Sequence, residues 1–294
     1  MRFSLRQLEV FTAVARGESV SRAAQELAMS QSAVSGSLAE LERHFDVRLF
    51  ERVGKRLQLS EVGRSLRPRA EALCEQARQL EAGLAGETQA GELRVGATLS
   101  IGNYLCAPLM ARFMIEHPGS KVRLHVANTV EIARQVKNFE IDVGLVEGEV
   151  SDAELEVTRW RDDELCVFAA PSHPLARRAR LSDADLKSAA WILREQGSGT
   201  RQTFERAMHG LLPELTVVLE LEHTEAIKSA VKAGLGLGCV SHVALTDAFK
   251  HQSLVPCRVP GRDFRRFFFF VVHRQKFQSR ALASWLALCR AGET

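Results

Sequence analysis

Two short runs within residues 19–45 carry apolar residues at the spacing of one buried helix face. Apolar side chains that recur three and four positions apart lie on the same side of an α-helix. The apolar positions of the two runs are Val20, Ala23, Ala24 and Leu27, then Val34, Leu38, Leu41 and Phe45. The pattern therefore predicts two amphipathic helices joined by a short turn, with Ser30 as the N-cap of the second.

The other face of the second predicted helix is small and polar. Gln31, Ser32 and Ser35 occupy its start, and Gly36 and Arg43 follow on the same side. A solvated helix face usually carries Glu and Lys, whereas small polar side chains permit close contact with another molecule. Such a helix pair is typical of a helix-turn-helix, in which the second helix enters the major groove of DNA. A plain αα-hairpin within a helix bundle fits the same spacing.

The next run, RLFERVGKRLQLS at residues 48–60, predicts a small hairpin with basic residues at its tip. Two apolar pairs flank a turn at Gly54 that carries Arg52, Lys55 and Arg56. Cations at this position can neutralise phosphates beside the groove, although an ordinary solvated turn carries the same residue types. The hairpin and the helix pair together favour DNA binding more than either does alone.

Residues 61–90 follow a heptad pattern. The apolar positions recur alternately every four and three residues, at Leu66, Ala70, Leu73, Ala77, Leu80 and Leu84. The other residues are mostly Arg, Glu and Gln, so such a helix has little to bury unless a partner covers the apolar stripe. A paired linker helix is one explanation, and packing of the stripe on the chain's own C-terminal domain is the other.

Ser60 and Glu61 suit the start of this linker helix, and Gly86 or Gly91 suits its end. Pro68 conflicts with an uninterrupted helix, because proline removes a backbone donor and crowds the preceding turn. We therefore expect either a kink at Pro68 or a helix that starts later, toward Pro68.

From Glu92 onward, strand-like and helical runs alternate, which predicts open α/β sheets covered by helices. The length of this region favours two lobes. The run FRRFFFFVVHRQ is too short for a membrane span and is bounded by charge, so it predicts a strand buried on both faces. GLGLGC, residues 234–239, lacks the spacing and order of a nucleotide-binding loop and predicts a helix C-cap followed by a tight turn.

Three strand-to-helix junctions carry hydroxyl groups, at residues 98–102, 197–201 and 223–226. In open α/β folds, ligands bind at the carboxyl ends of strands, where helix N-termini favour anions. Arg201 would add a positive charge, whereas Glu147 and Glu195 argue against a large, bare anion pocket. Each hydroxyl taken singly is more often a helix cap, but caps alone are a weaker explanation for all three junctions.

Composition narrows the classes of function. The 294 residues suffice for two domains, and a net charge of +3 does not by itself mark a nucleic-acid binder. Six scattered cysteines form no CxxC pair and no zinc-like spacing, so we expect reduced thiols and no metal, with a redox pair as the alternative. No signal segment or membrane-length apolar run is present, and no side-chain arrangement indicates catalysis.

The motifs of residues 1–60 resemble one family. LRQLEVF, SRAAQEL, SQSAVS, RLFER and LSEVG are similar to the winged helix-turn-helix of LysR-type transcriptional regulators. The resemblance, the polar helix face and the basic wing together give a predicted DNA-binding set: Arg22, Ser30, Gln31, Ser32, Ser35, Arg43, Arg52, Lys55 and Arg56. Family members often have Pro where Ser32 stands and a basic residue where Gly36 stands, which leaves the target sequence open.

The resemblance covers the whole chain and implies an α/β protein with an N-terminal winged helix-turn-helix, a linker helix and a two-lobed effector domain like periplasmic-binding proteins. The implied division is a DNA-binding domain at 1–60, a linker at 61–90 and an effector domain at 91–294, with lobe I at 91–163 and 267–294 and lobe II at 164–266. LysR-type regulators pair through the linker, which implies a homodimer or homotetramer with a seam at Leu66, Leu73, Leu80 and Leu84.

A narrower resemblance concerns the effector. IGNYL, WILREQGSGTR and TEAIKSAVKAGLGLGCVS are similar to the LysR-type subgroup that responds to sulfite and regulates sulfur and redox genes. The implied ligand is an anion: sulfite first, then sulfate or a small organic acid. The predicted effector-binding set is Thr98, Ser100, Ile101, Gly102, Glu147, Glu195, Ser198, Gly199, Thr200, Arg201 and Thr224.

The leading hypothesis is a cytoplasmic, effector-gated transcriptional regulator, and not an enzyme. Its predicted partners are double-stranded DNA, a small anion and further copies of itself, with RNA polymerase as another candidate and no membrane or cofactor. The rival hypothesis is a two-lobed small-molecule-binding protein or enzyme whose N-terminal helices serve only oligomerisation. The polar helix face and the basic wing count against the rival.

Overall fold

The structure, a computed structural model, describes residues 2–54, 56–84 and 92–291, so both predicted ends of the linker helix, Gly86 and Gly91, lie outside it. The N-terminal domain is a three-helix unit followed by a hairpin: α1 Leu5–Gly17, α2 Val20–Glu26, α3 Gln31–Phe45, β1 Phe50–Val53 and β2 Arg56–Leu59. The two strands pair antiparallel across Gly54, whose φ of 63° suits glycine at the tip.

The predicted helix pair is confirmed, together with its cap. The Ser30 hydroxyl accepts the N–H of Ala33 at 3.1 Å, and Val34, Leu38 and Leu41 are buried against α1 and α2. Phe45 was expected on the same buried face, but it is 42% exposed and packs only on Phe3 and Arg2. The last turn of α3 extends past the small core, so that part of the prediction is wrong.

The linker helix α4 runs from Glu61 to Leu84. It starts where predicted, with the Ser60 hydroxyl accepting the N–H of Gly63 at 3.0 Å. Pro68 lies inside this helix, so the expected delayed start is wrong. Ala70 and Cys74 are buried in the N-terminal core, and this packing offsets the lost hydrogen bond of Pro68.

Contacts hold α4 on two sides. The Arg16 guanidinium on α1 pairs with the buried Glu71 carboxylate at 3.1 Å. The Arg67 guanidinium lies 5.4 Å from the ring centre of Phe139, a residue of the C-terminal region. The linker helix therefore contacts both the N-terminal domain and the domain that follows it.

The C-terminal domain has two lobes. Lobe I contains β3 Glu92–Ala97, α5 Leu99–Ile101, α6 Ala107–Glu116, β4 Lys121–Val126, α7 Thr129–Lys137, β5 Val143–Val146, β11 Arg265–His273 and α12 Arg280–Ala291. Lobe II contains α8 Asp183–Ser188, β7 Ala190–Arg194, α9 Gly199–Ala207, β8 Thr216–Leu221, α10 Thr224–Lys232, β9 Leu237–Ser241, α11 Thr246–Lys250 and β10 Val255–Cys257. A π-helical turn, Gly102–Cys106, joins α5 to α6.

One strand, β6 at Leu155–Ala169, belongs to both lobes. It pairs antiparallel with β11 up to Glu164 and with β9 from Leu165 onward. The strand order is β4-β3-β5-β11-β6-β9-β7-β8, with β10 also on β6. The first half of β6 mixes charged and apolar residues, whereas its second half is mostly buried.

The phenylalanine-rich strand β11 corrects an expectation. It was predicted to be buried on both faces, but its first half alternates, with Arg265 and Phe267 exposed and Arg266 and Phe268 buried. Its last four residues, which lie in the lobe I sheet, are all buried without this alternation. The alternation arises because one face of the crossover is open to solvent.

The turn predicted at GLGLGC is confirmed. Helix α10 ends at Lys232, Gly234 has a φ of 88°, and β9 begins at Leu237. In the part of the chain that the structure describes, no helix combines the length and apolar character needed to cross a bilayer.

Two glycines of the N-terminal domain provide a matched stability test. A Cβ on Gly63 would lie 2.2 Å from the Leu49 carbonyl oxygen, whereas a Cβ on Gly36 would meet nothing within 4 Å. Gly63→Ala should therefore destabilise the domain by about 1–3 kcal/mol, and Gly36→Ala should stabilise it by about 0.5–1 kcal/mol. Hydrogen exchange of core amides in α1 and α3 measures both changes, and equal effects would contradict the packing described.

Candidate functional site

The outward face of α3 is free of the domain's own packing. Gln31, Ser32, Ser35 and Gly36 are exposed along it. The Ser30 hydroxyl is engaged as the helix cap and lies 2.9 Å from the Ser32 hydroxyl, so Ser30 shapes the start of this face. The face is therefore accessible to a groove of DNA.

The carboxylates of α3 bond within the domain. Gln7 donates to Glu40 at 3.1 Å, and Glu42 accepts the N–H of Leu49 at 2.7 Å. The second bond also fixes the hairpin against α3. Both acids are therefore held by hydrogen bonds within the domain.

Exposed basic side chains accompany this face on three elements. Arg22 on α2, Arg43 in the last turn of α3 and Arg52 on β1 form no ion pair with any residue that the structure describes. Lys55 and the side chain of Arg56 lie outside the described part. Unpaired, exposed arginines suit phosphate contacts, which orient a protein on DNA without reading bases.

The predicted leucine seam of α4 is divided by the packing. Leu66 packs against the N-terminal core of the same chain, so its assignment to a free seam is corrected. Leu73, Leu80 and Leu84 are 44%, 65% and 81% exposed. Three large apolar side chains along one helix remain available for a partner.

The predicted junctions of the C-terminal domain face one cleft between the lobes. On the lobe I side, Thr98 and Ser100 follow β3 and Glu147 follows β5, while Thr200 and Thr224 lie on the lobe II side after β7 and β8. These positions are the carboxyl ends of parallel strands. Open α/β folds bind ligands at this edge.

The two lobes touch across the cleft. The Thr200 hydroxyl donates to Glu147 Oε1 at 3.1 Å, and the Tyr104 hydroxyl donates to Glu225. A Cβ on Gly199 would lie 2.4 Å from the Gly148 nitrogen, so only glycine permits this approach. The closed cleft thus depends on backbone contact as well as on side chains.

A buried arginine lies at the point where the lobes join. Arg266 bonds Asp163 Oδ2 at 2.6 Å, Glu147 Oε2 at 3.3 Å and the Thr200 hydroxyl at 3.1 Å. Asp163 also accepts from Ser241 at 2.7 Å. Sequence analysis missed Arg266, although a charged residue at a core position of an alternating apolar strand is a recognisable signal.

Several buried polar atoms around the cleft junctions have no partner among the described residues: Thr98 Oγ1, Ser100 Oγ, Thr129 Oγ1, Thr224 Oγ1 and Arg194 Nη1. Thr98, Ser100 and Thr224 were predicted, and their hydroxyls do not cap helices. Sequence analysis missed Thr129, which follows β4, and Arg194, which ends β7. Unpaired buried polar groups cost free energy, so their concentration here indicates a place that a ligand completes.

Five predicted effector residues make structural contacts within the chain. Ser198 accepts the N–H of Arg201 at 3.0 Å and is a helix cap. Arg201 is engaged by Glu205 at 2.7 Å and Glu220 at 3.1 Å, so we correct its assignment as the cleft's positive charge. The Ile101 side chain belongs to the lobe I core.

Glu195 and Gly102, also from the predicted effector-binding set, are constrained by their neighbours as well. Glu195 pairs with Arg194 at 2.7 Å, and a Cβ on Gly102 would meet Val126 at 2.7 Å. Arg194 Nη1 is buried and has no hydrogen-bond partner among the described residues.

Burial disfavours the thiolate form of the cysteines. Burial raises the pKa of Cys74 and Cys257 to about 11 and that of Cys106 and Cys166 to about 12. A redox pair needs a thiolate, and burial disfavours that form. Over residues 2–54, 56–84 and 92–291, no group of three His, Cys, Asp or Glu side chains could hold a metal ion.

Comparison with known proteins finds a family model for the N-terminal region and another for the C-terminal region. A family model for the "LysR substrate binding domain" matches residues 86–293, and one for the "bacterial regulatory helix-turn-helix protein, lysR family" matches residues 5–64. The chain is 41% identical over 289 residues to the "Uncharacterized HTH-type transcriptional regulator YeiE" of Escherichia coli, which covers 98% of each chain.

Two solved structures extend the comparison. A full-length OxyR variant from Pseudomonas aeruginosa has a TM-score of 0.75 at 21% identity, covering 99% of this chain and 95% of that one. The CcmR regulatory domain of Synechocystis PCC6803, in complex with 2-PG, has a TM-score of 0.64 at 28% identity, covering 69% of this chain and 97% of that one. The predicted fold class is confirmed.

Neighbouring arginines on β11 test the buried network. Arg266→Met leaves Glu147 and Asp163 buried without their cation, which should cost about 3–5 kcal/mol of stability. Arg265→Met removes only an exposed pair with Asp263 and should cost about 0–1 kcal/mol. Urea unfolding followed by the fluorescence of Trp160 and Trp191 measures both, and equal costs would contradict the role assigned to Arg266.

Proposed function

This chain belongs to the LysR family of bacterial transcriptional regulators, and from that premise we propose that its DNA binding is gated by a small oxyanion held between the two lobes. The observation that carries the proposal is the set of unpartnered buried hydroxyls on both sides of one cleft, beside Arg194. A ligand that bonds both lobes favours the closed arrangement and so shifts the conformational equilibrium.

DNA recognition is assigned to α3 and the wing. The small exposed face at Gln31, Ser32 and Ser35 allows α3 to enter a major groove closely, and Arg52 on the wing suits an adjacent phosphate. Gly36 leaves a gap where a longer side chain would reach a base or a phosphate. Specificity therefore rests on short side chains and on the shape of the groove.

A dimer is assigned to the leucines of α4. Leu73, Leu80 and Leu84 are too exposed for a single chain in water, and their spacing matches a two-helix seam. Pairing brings two α3 helices to two DNA half-sites, so binding of one helix raises the effective concentration of the other at its half-site. Pairing of effector domains through a second surface would extend this dimer to a tetramer.

The class of ligand is assigned from the hydrogen-bond donors that the protein offers in the cleft. Thr98 and Ser100 offer hydroxyls in lobe I, Thr224 offers one in lobe II, and Arg194 adds a charged N–H. Sulfite is the first candidate, supported by the motifs IGNYL and WILREQGSGTR, and sulfate or a small organic acid follows. The similar CcmR domain was solved with a small molecule, 2-PG.

The energetic demand on the ligand is modest. A tenfold change in DNA occupancy needs only about 1.4 kcal/mol of differential affinity between open and closed lobes. A hydrogen bond to a charged group contributes about 1.5–3 kcal/mol, so one additional bond in the closed form suffices.

A charge placed on α3 tests the DNA surface. Ser35→Glu should put a carboxylate against base edges or phosphates and weaken specific DNA binding by about tenfold or more. Ser151→Glu, an exposed change in lobe I with the same net charge, should leave DNA binding as it is. Gel-shift titration measures both, and unchanged binding by a folded Ser35→Glu protein would remove α3 from the interface.

Loss of a hydroxyl tests the ligand assignment. Ser100→Ala should weaken sulfite binding by roughly tenfold, because it deletes one hydrogen bond to a charged ligand. Thr158→Ala, which removes an exposed hydroxyl on β6, should have no effect. Calorimetry on the full chain decides between them. Binding of only uncharged ligands, or an unaffected Ser100→Ala protein, would mean that the cleft is not an oxyanion site.

A further inference from the structure

A second cavity, separate from the cleft between the lobes, opens in lobe II. Its volume is about 480 Å³, within the range of about 300–1,000 Å³ that small-molecule sites occupy. Residues 164–167 of β6 line it, together with much of the segment 256–264 that joins β10 to β11. Among the described residues that line it, none belongs to the set assigned to the cleft. We call this cavity the lobe II pocket.

The lobe II pocket lies where β6 exchanges one neighbouring strand for another. Strand β10 pairs with residues 167–169 of β6, whereas β11 pairs with β6 only as far as Glu164. Between these two ladders, residues 258–263 leave the edge of β6, and the chain returns at Phe264, whose carbonyl accepts the Leu165 N–H at 3.0 Å. The cavity is therefore a consequence of the topology, because a strand shared by two lobes changes partners where the lobes join.

The walls of the pocket carry more positive than negative charge. Arg180, Arg258 and Arg262 line it, together with one carboxylate, Glu164. Arg262 is engaged elsewhere, because its guanidinium pairs with Asp183 at 3.0 Å. Arg180 and Arg258 are exposed, and their side chains form no ion pair or hydrogen bond with any residue that the structure describes. Two guanidinium groups are therefore free to bind an anion.

The backbone brings these two arginines close together. The Leu181 N–H donates to the Arg258 carbonyl at 2.8 Å, so the segment before α8 runs alongside the segment after β10. Arg180 directly precedes Leu181 and lines the same pocket as Arg258. The guanidinium group presents parallel N–H donors that match the oxygens of a carboxylate or a sulfonate. The pair therefore suits one anionic head group.

Much of the remaining lining is apolar. It includes Cys166, Pro256, Val259, Pro260 and Phe264. Val259 and Phe264 also pack in the lobe II core, and proline restricts the backbone, so this wall is formed before any ligand arrives. A bare inorganic anion would leave the apolar wall in contact with water, whereas an organic anion covers it with its own apolar part.

We propose that the lobe II pocket binds an organic anion with a hydrophobic body. Arg180 and Arg258 hold the carboxylate or sulfonate group, and the body lies on the apolar wall. This inference goes beyond the oxyanion assigned to the cleft and does not depend on it. Because Glu164 and Phe264 line the pocket at the passage between the lobes, such a ligand is a second chemical input to the same pair of lobes.

Fluorescence titration of the full chain with two probes tests the proposal. 8-Anilinonaphthalene-1-sulfonate carries a sulfonate on an aromatic body, and N-phenyl-1-naphthylamine is the same body without the charge. Arg258→Glu replaces an attracting charge by a repelling one, so it should weaken binding of the sulfonate probe by about tenfold or more and change binding of the neutral probe by less than about twofold. Arg177→Glu makes the same charge change at an exposed arginine of lobe II outside the pocket and should behave like wild type.

A second variant should change affinity in the opposite direction. Glu164→Gln removes the carboxylate that lines the pocket, so it should strengthen binding of the sulfonate probe by about two- to fivefold. Glu156→Gln makes the same charge change at an exposed position earlier on β6 and should have no effect. The expected gain keeps the proposal testable even if Arg258→Glu does not fold.

Competition distinguishes this pocket from a site for bare oxyanions. 1-Naphthoate, a carboxylate on a fused aromatic body, should displace the sulfonate probe from the wild-type protein, and sulfate at equal ionic strength should not. The proposal is overturned if 1-naphthoate fails to displace the probe, if sulfate displaces it equally well, or if Arg258→Glu and Glu164→Gln both leave its binding unchanged. None of these results bears on the cleft, whose ligand is tested separately by Ser100→Ala.

Discussion

The Arg266 guanidinium is the interaction on which the two-lobed domain depends. It lies on β11, where the chain passes between lobes, and bonds Asp163 and Glu147 from lobe I strands and Thr200 from lobe II. Beside it the Leu165 N–H donates to the Phe264 carbonyl at 3.0 Å, which closes the crossover. A charge buried in this way requires every partner to be in place, so it fixes both the join and one wall of the cleft.

The protein has two surfaces with opposite physical character. The face of α3 is small, solvated and complete, with its acids bonded inside the domain. The cleft is incomplete, because buried hydroxyls at Thr98, Ser100 and Thr224 lack partners. Among the described residues, the α3 face leaves no buried polar group unpaired while DNA is absent. The cleft does, so a ligand that bonds its free hydroxyls stabilises the protein.

Local patterns predicted the parts of the molecule that local forces determine. The cap at Ser30, the start of α4 at Ser60 and the turn at Gly234 depend on neighbouring residues, and each was found as expected. Phe45 and the delayed start at Pro68 were misjudged, because helix periodicity does not say where a core ends or how strongly packing supports a helix.

In the cleft, too, sequence patterns identified some residues and missed others. Strand-to-helix junctions identified Thr98, Ser100 and Thr224, since hydroxyls there are visible in sequence. Arg194 and Thr129 were missed because their role depends on the tertiary fold, whereas Arg266 was missed although its place in an apolar strand was visible. Arg201 looked like the free charge of the cleft, but it is engaged by Glu205, one turn along the same helix, and by Glu220 on β8.

The contacts of α4 have a mechanical consequence. Arg16 and Glu71 fasten the helix to the DNA-binding domain, and Arg67 rests on Phe139 of lobe I. These parts form one arm, and lobe II forms the other, with β6 and β11 as the pivot between them. In a molecule paired through α4, each chain has one such pivot. A small rotation of lobe II about β6 and β11 would therefore change the distance between lobe II and the DNA-binding domain of the same chain.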